Sequence, residues 1–281
     1  GDRPVVTATL AGFPDVDDIL GGLKPGKVYC VAAETSQGKS SIVIQIAASV
    51  AASGRHVYFF SNEMTREDIG RGIIGCVGGV DAASMKTAPE EDWTLLLARM
   101  TGFPAHLLHV EDQPFGPDEL AAMLHARFAV QAPGLLVVDY LQNMRPPRGA
   151  KNQEERVAGC VKAVKELAMI HRVPCILVSQ VNREVGHRNG KGLVLSDLRG
   201  SGTIEQACDA VIFLWPDGED GDLSKNRIVA VKVAKHRGGR TGMTRLHFFP
   251  RQTRFASCVA PAREQERGQS RAEPDSEDLP L

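Results

Sequence analysis

The stretch V-A-A-E-T-S-Q-G-K-S-S-I-V, Val31 to Val43, decides how this 281-residue chain is read. It leaves an apolar run (27–33, KVYCVAA), crosses a short polar segment, and enters KSSIVIQIAASVAA, which has helical character. A loop that leads from a strand into a helix N-terminus can surround a phosphate with backbone N–H groups while a lysine reaches the outer oxygens. The usual spelling of such a loop is G-x-x-x-x-G-K-[ST]. Here it is Ala33-Glu34-Thr35-Ser36-Gln37-Gly38-Lys39-Ser40, so Ala33 replaces the first glycine while the second glycine, the lysine and the hydroxyl remain. Gly38 stands where the backbone passes closest to phosphate, Lys39 is expected on the β- and γ-phosphates, and Ser40 on Mg²⁺. Ala33, Ser36, Gln37 and Ser41 complete the expected nucleotide-binding stretch.

Outward from this loop, short apolar or β-branched runs recur at 56–61, 107–110, 135–140, 175–180, 210–215, 228–235 and 244–249. Most are continuously apolar, as strands covered on both faces are. Helical segments lie between the early ones: REDIGRGIIGCV, PDELAAMLHARFAV and QEERVAGCVKAVKELAMIH. Strands alternating with helices predict an α/β fold with a mostly parallel, twisted sheet and helices on both faces. The last two runs are close in sequence and read as an antiparallel hairpin at one edge. Residues 258–281, mixed in charge and nearly without apolar side chains, are expected to be disordered. The domain is expected over 10–257, with residues 1–9 a linker remnant.

With 43% hydrophobic and 24% charged residues, the chain has the composition of an ordinary globular domain. No run is long enough to span a membrane and the first residues carry no signal-peptide core, so cytoplasmic residence is the default. A formal net charge of −1 excludes a protein that coats nucleic acid by charge alone, and leaves room for local basic loops. The six cysteines form no C-x-x-C pair and read as buried thiols.

Three further runs end in polar residues suited to nucleotide chemistry. FFSNEM carries Glu63 beside the phosphate loop, where a carboxylate can orient and deprotonate an attacking water. LLVVDY closes on Asp139, a second-sphere Mg²⁺ ligand of Walker B type. ILVSQ closes on Gln180, which can touch the γ-phosphate and report its loss. Polar groups at the C-terminal ends of successive apolar strands mark the edge where such sheets bind ligands. No Ser/His/Asp constellation or H-E-x-x-H string competes.

The segments GFPDVDDILGGLKPGKV, SNEM, VVDYLQNM, VSQVNREV, SDLRGSGTIEQACDAVIFL and KHRGGRTG follow one another in that order. Together they resemble the C-terminal motor domain of the DnaB-like replicative helicases, a RecA-like P-loop ATPase, over about residues 9–256. Alanine at the first loop position is common in that family. The resemblance implies a ring, usually hexameric, with ATP between subunits, translocation on single-stranded DNA, and contacts with a primase or a helicase loader. It implies that Lys235 and Arg237 act as a lysine and an arginine finger on a neighbouring subunit's nucleotide, and that Arg71 lies near the adenine. It places DNA-backbone contacts at Arg199, Gly200 and Gly202. Two basic, glycine-rich loops, 145–153 and 182–202, follow the Asp139 and Gln180 strands and add Arg145, Arg148 and Arg183 as candidates. Family members commonly have an acid where Gly200 stands. Only about nine residues precede the resembling segment, so the chain reads as an excised motor domain or a naturally short relative. Two alternatives stay open here: a RecA- or RadA-like recombination ATPase, and a helicase-like platform that binds nucleotide without hydrolysing it.

Overall fold

A computed structural model describes residues 13–128, 133–139, 144–145, 152–181, 192–198, 201–218 and 224–258. The expected linker remnant and nearly all of the expected tail lie outside these residues. The described chain forms one nine-stranded sheet in the order β3-β2-β4-β5-β1-β6-β7-β8-β9. The strands are β1 (Val28–Ala33), β2 (His56–Ser61), β3 (Leu108–Glu111), β4 (Pro133–Asp139), β5 (Cys175–Gln180), β6 (Ala210–Pro216), β7 (Arg227–His236), β8 (Gly242–Phe249) and β9 (Arg254–Ser257). The first six pair in parallel, and β7, β8 and β9 add an antiparallel edge. The sheet is therefore mixed and mostly parallel, as its apolar runs predict, but the antiparallel part has one strand more than the expected hairpin.

Both faces of the sheet are covered. Helices α1 (Pro14–Leu20), α2 (Lys39–Ala52) and α3 (Arg66–Gly78) pack on one side, where Val31, Val43, Phe59, Ile69, Val137 and Val178 share a core. Helices α5 (Pro117–Phe128), α6 (Gln153–His171) and α7 (Ser201–Ala207) cover the other, around Cys30, Phe60, Leu124, Val138, Val161, Leu177 and Ile204. Helix α4 (Glu90–Met100) lies further out and leaves Trp93 and Leu97 exposed. All six residues of β1 are buried, which is why its run shows no alternation.

Local chemistry fixes where the helices begin. The Thr65 hydroxyl accepts from the Asp68 N–H while the Asp68 carboxylate accepts from the Thr65 N–H, a reciprocal cap for α3. Asn152 Oδ1 accepts from the Glu155 N–H, 2.8 Å, and starts α6. Among the described residues no helix is long and apolar enough to cross a membrane. Cys30, Cys160, Cys175 and Cys208 are buried thiols, whereas Cys76 is half-buried and Cys258 exposed.

Candidate active site

Strand register brings Gln180, Asp139 and the turn that carries Glu63 to the edge of the phosphate loop. Ala33 pairs with Gln180 across β1 and β5, and Ser61 pairs with Asp139 across β2 and β4. Strand β2 is not a neighbour of β1, because β4 and β5 lie between them. Glu63 reaches the phosphate loop from the turn beyond β2, not from an adjacent strand. That turn is organised by Ser61, whose hydroxyl accepts from the N–H groups of Glu63 (3.3 Å) and Met64 (2.8 Å). The Asn62 N–H donates to the Asp139 carbonyl at 2.6 Å, locking the Glu63 turn to the end of β4.

The loop itself has the backbone its sequence demands. Gly38 caps α2 at φ 86°, and a Cβ there would lie 2.7 Å from the Phe255 ring, so only glycine fits. Ser36 also takes a left-handed conformation, φ 64°, which is uncommon for a residue with a side chain. Lys39 is 6% exposed, and its Nζ lies 3.5 Å from Glu63 Oε2. Ser40 and Ser41 occupy the first turn of α2, and Gln37, in the loop, is buried.

Asp139 is fully buried, and neither carboxylate oxygen has a hydrogen-bond partner. Burial raises its pKa from the usual 3.8 to about 6; Lys39 opposes the rise and Glu63 adds to it. The Ser40 hydroxyl lies near enough to favour the ionised form without completing a hydrogen bond. Asp139 thereby makes stability depend on pH. Below pH 3.8 the proton is on in both folded and unfolded states and Asp139 costs nothing. As pH rises from 3.8 to about 6 the unfolded chain ionises first, and the fold loses stability on the order of 3 kcal/mol. Asp139→Asn is therefore expected to unfold at a higher temperature than wild type at about pH 7, with the gap closing as pH falls through that window. Thermal unfolding of the two nucleotide-free proteins across pH checks this, and a gap independent of pH would contradict it.

Arg227, at the start of β7, is a member of the site that the sequence does not announce. Its guanidinium donates to the Ser36 carbonyl at 2.8 Å, reaches Gln37 Oε1 at 3.5 Å, and lies 4.9 Å above the Phe248 ring. It braces the outside of the phosphate loop at the residue with the strained backbone. Strand β7 then runs antiparallel to β6 and away from the loop. Lys235 pairs with Val211 near the opposite end of β6, whereas Ala33 pairs with Leu214. The Lys235 ammonium donates to the Glu205 carbonyl, and Arg237 donates to that of Gln206, both at the end of α7. Burial, and then the charge of Arg237, hold the Lys235 pKa below the usual lysine value. Ten residues of extended chain from Arg227 to Arg237 span about 33 Å. The expected fingers and the phosphate loop of one subunit thus sit at opposite edges of the sheet.

Other expected site residues are not brought to the loop. Arg71 is exposed on α3 and pairs with Asp68 of the same helix. Arg145 is exposed, donates to the Pro114 carbonyl at 2.6 Å and pairs with Glu119 at 3.2 Å. Gly202 lies in the first turn of α7, with open space where a side chain would stand. Arg148, Arg183, Arg199 and Gly200 lie outside the described residues.

The profile of the DnaB-like helicase C terminal domain matches residues 9–257. The chain belongs to that family. Two curated relatives of this DnaB-like domain are the replicative DNA helicases DnaB of Geobacillus stearothermophilus and Haemophilus influenzae. The first is 30% identical over 258 residues, covering 90% of this chain and 57% of the relative. The second is 33% identical over 258 residues, covering 89% and 55%. The chain thus spans a little over half the length of these curated relatives. Among solved structures, a DnaB-like replicative helicase described with its interactions with primase superposes with a TM-score of 0.82 at 26% identity, over 92% of this chain and 65% of that one. A second solved structure, described as an ATPase domain, superposes with a TM-score of 0.79 at 26% identity, over 92% of this chain and 94% of that one. The fold of this DnaB-like domain is that of the RecA-like ATPase domains.

Proposed function

We propose that this chain is the ATP-hydrolysing motor of a replicative-type DNA helicase, working between subunits of a ring. The observation that carries the reading is the group formed by buried Lys39 and Asp139 with the exposed Glu63 at one sheet edge, with the finger residues Lys235 and Arg237 at the other. Lys39 binds the outer phosphates, Gly38 and the loop N–H groups cradle them, and Glu63 takes the proton of the attacking water. Gln180, level with Ala33, contacts the γ-phosphate. A finger that cannot reach its own loop must serve another copy of the chain, which favours a closed homo-oligomer with a heterologous interface, hexameric by family. The kinship with replicative helicases favours this reading over a recombination ATPase, and the retained Glu63 and Arg237 argue against a non-hydrolysing platform.

The residues present fit a Mg²⁺ ion. Asp139 offers a buried carboxylate without a hydrogen-bond partner, and Ser40 a neighbouring hydroxyl, both hard oxygen donors. With Ser40 as the protein oxygen facing the ion and Asp139 behind it in the second sphere, the shell has room for nucleotide phosphates and waters. When bound, the ion neutralises charge on the transferred phosphoryl group. Ser40 and Asp139 would hold it, and its charge would reverse the upward pKa shift of Asp139.

Single-stranded DNA is the proposed track, gripped through its backbone by Arg145, Arg148, Arg183, Arg199, Gly200 and Gly202, without sequence preference. Primase or a loader is the proposed protein partner, and the cytoplasm the proposed location. The domain is proposed to span 10–257. The deciding experiment is ATP turnover against protein concentration, with and without single-stranded DNA. Turnover per subunit is expected to rise steeply as subunits assemble and to rise again with DNA. Turnover per subunit that does not change with concentration or DNA, at saturating ATP, would argue against a site completed between subunits.

A further inference from the structure

The residue that ties the finger edge to the rest of the fold is Asp209, one position before β6. It is 5% exposed, and its carboxylate meets three donors, from β1, the residue before it and α6. The Val28 N–H at the start of β1 donates to Oδ2 at 2.9 Å, Lys27 Nζ lies 3.2 Å from Oδ1, and the Lys165 ammonium of α6 donates to Oδ2. Burial alone would raise the Asp209 pKa; Lys165, the Val28 N–H and Lys27 outweigh it and hold the carboxyl below its usual value. The backbone of Asp209 is engaged as well. Its N–H donates to the Val28 carbonyl at 2.8 Å, and its carbonyl accepts from the Arg237 N–H at 2.7 Å.

We infer that Asp209 is a positioning residue for Lys235 and Arg237, setting the geometry in which they are offered to a neighbouring subunit. Two contacts give it that role. The Asp209 carbonyl fixes the main chain of Arg237 directly. The Asp209 carboxylate also pins the chain two residues beyond α7, whose last carbonyls, Glu205 and Gln206, hold the two finger side chains. Helix C-termini leave carbonyls without intrahelical partners and carry partial negative charge, so they seat cations well. Without the carboxylate anchor, only the backbone pairing of Asp209 and β6 holds the junction of α7 and β6 to β1, and the contacts with Lys27 and Lys165 are gone. Asp209 touches no nucleotide in this scheme; it acts through the fingers. The inference rests on the finger role proposed above.

A purely structural role for Asp209 would impair its own subunit; a positioning role impairs the neighbour. Mixed assemblies separate the two. Asp209→Asn keeps an acceptor for the Val28 N–H and removes the charge that meets Lys165. It is expected to bind a fluorescent ATP analogue as wild type does and to lose about 10²-fold of DNA-stimulated turnover, the scale of a misplaced catalytic group. Mixed with Glu63→Gln protein, which donates intact fingers from a dead site, it should recover. Random neighbours make about one interface in four productive, so turnover returns toward about a quarter of wild type. Lys165→Gln, which leaves the carboxylate in place, should show the same pattern more weakly and serves if Asp209→Asn does not fold. Arg237→Ala mixed with Glu63→Gln is the control. If the control recovers and neither the Asp209 nor the Lys165 variant does, Asp209 does not position the fingers. If the control itself fails to recover, the finger reading is wrong and the inference falls with it.

Discussion

Glu63→Gln is expected to bind ATP as tightly as wild type and to hydrolyse it about 10²- to 10⁴-fold more slowly, the range for loss of a general base. The geometry explains why binding survives. The Glu63 carboxylate lies 3.5 Å from the Lys39 ammonium, and the pair balances charge around a nearly buried lysine. An arriving phosphate supplies negative charge to Lys39 in its place, which leaves Glu63 available to the attacking water. Glutamine keeps the length and an acceptor oxygen for Lys39 but cannot take up a proton. The turn that presents the side chain, held by the Ser61 hydroxyl, does not depend on the carboxylate. Single-turnover hydrolysis beside equilibrium ATP binding separates the two effects. Hydrolysis within about tenfold of wild type would remove Glu63 from the role. The substitution also carries a second signature. Glu63 contributes to the upward shift of Asp139, so its neutralisation should lower the Asp139 pKa.

How much of this site is legible in the sequence depends on how far apart its members lie along the chain. The phosphate loop is local, and its strand-loop-helix context is readable at Val31 to Val43 without any tertiary information. Asp139 and Gln180 are readable because each closes a continuously apolar run, and a buried strand that ends on a polar residue announces its edge. Sheet order is another matter. Nothing in the runs says that β4 and β5 separate β2 from β1, so the sequence suggests Glu63 beside the loop without showing that it gets there from a turn two strands away. Strand β9 is four residues long, too short to show a period. Arg227 and Asp209 are the instructive omissions. Arg227 meets Ser36 across 191 positions, and Asp209 meets Val28 across 181. In the sequence, Arg227 is one more charge at the start of a strand, and Asp209 is one acid inside SDLRGSGTIEQACDAVIFL, a segment that signals the family without saying what Asp209 meets. Only packing reveals that each ties one edge of the sheet to something distant.

Arg237→Ala carries the largest expected effect and the most specific pattern. Each subunit should bind ATP unchanged, because Arg237 stands about 33 Å of extended strand from the Arg227 that braces its own phosphate loop. Turnover in the assembled, DNA-bound state should fall by about 10³-fold or more, the scale measured for fingers supplied in trans. The concentration dependence should change with it. Wild-type turnover per subunit is expected to climb as interfaces form, whereas the variant should remain at the low rate of an isolated site however many interfaces it makes. Lys is a poor substitute here, since a compact ammonium lacks the planar fork that spans two phosphate oxygens, so Arg237→Lys should recover little. Arg227→Ala offers the opposite pattern at the other end of the same strand. It loosens the Ser36 carbonyl and should weaken nucleotide binding within its own subunit, leaving that subunit able to complete a neighbour's site. On the proposed reading strand β7 joins a contact to its own phosphate loop with a finger for a neighbour's, and the pair of variants reads the two separately. If Arg237→Ala keeps full DNA-stimulated turnover, the sheet's far edge contributes nothing to hydrolysis, and the case for a ring built on trans fingers loses its central observation.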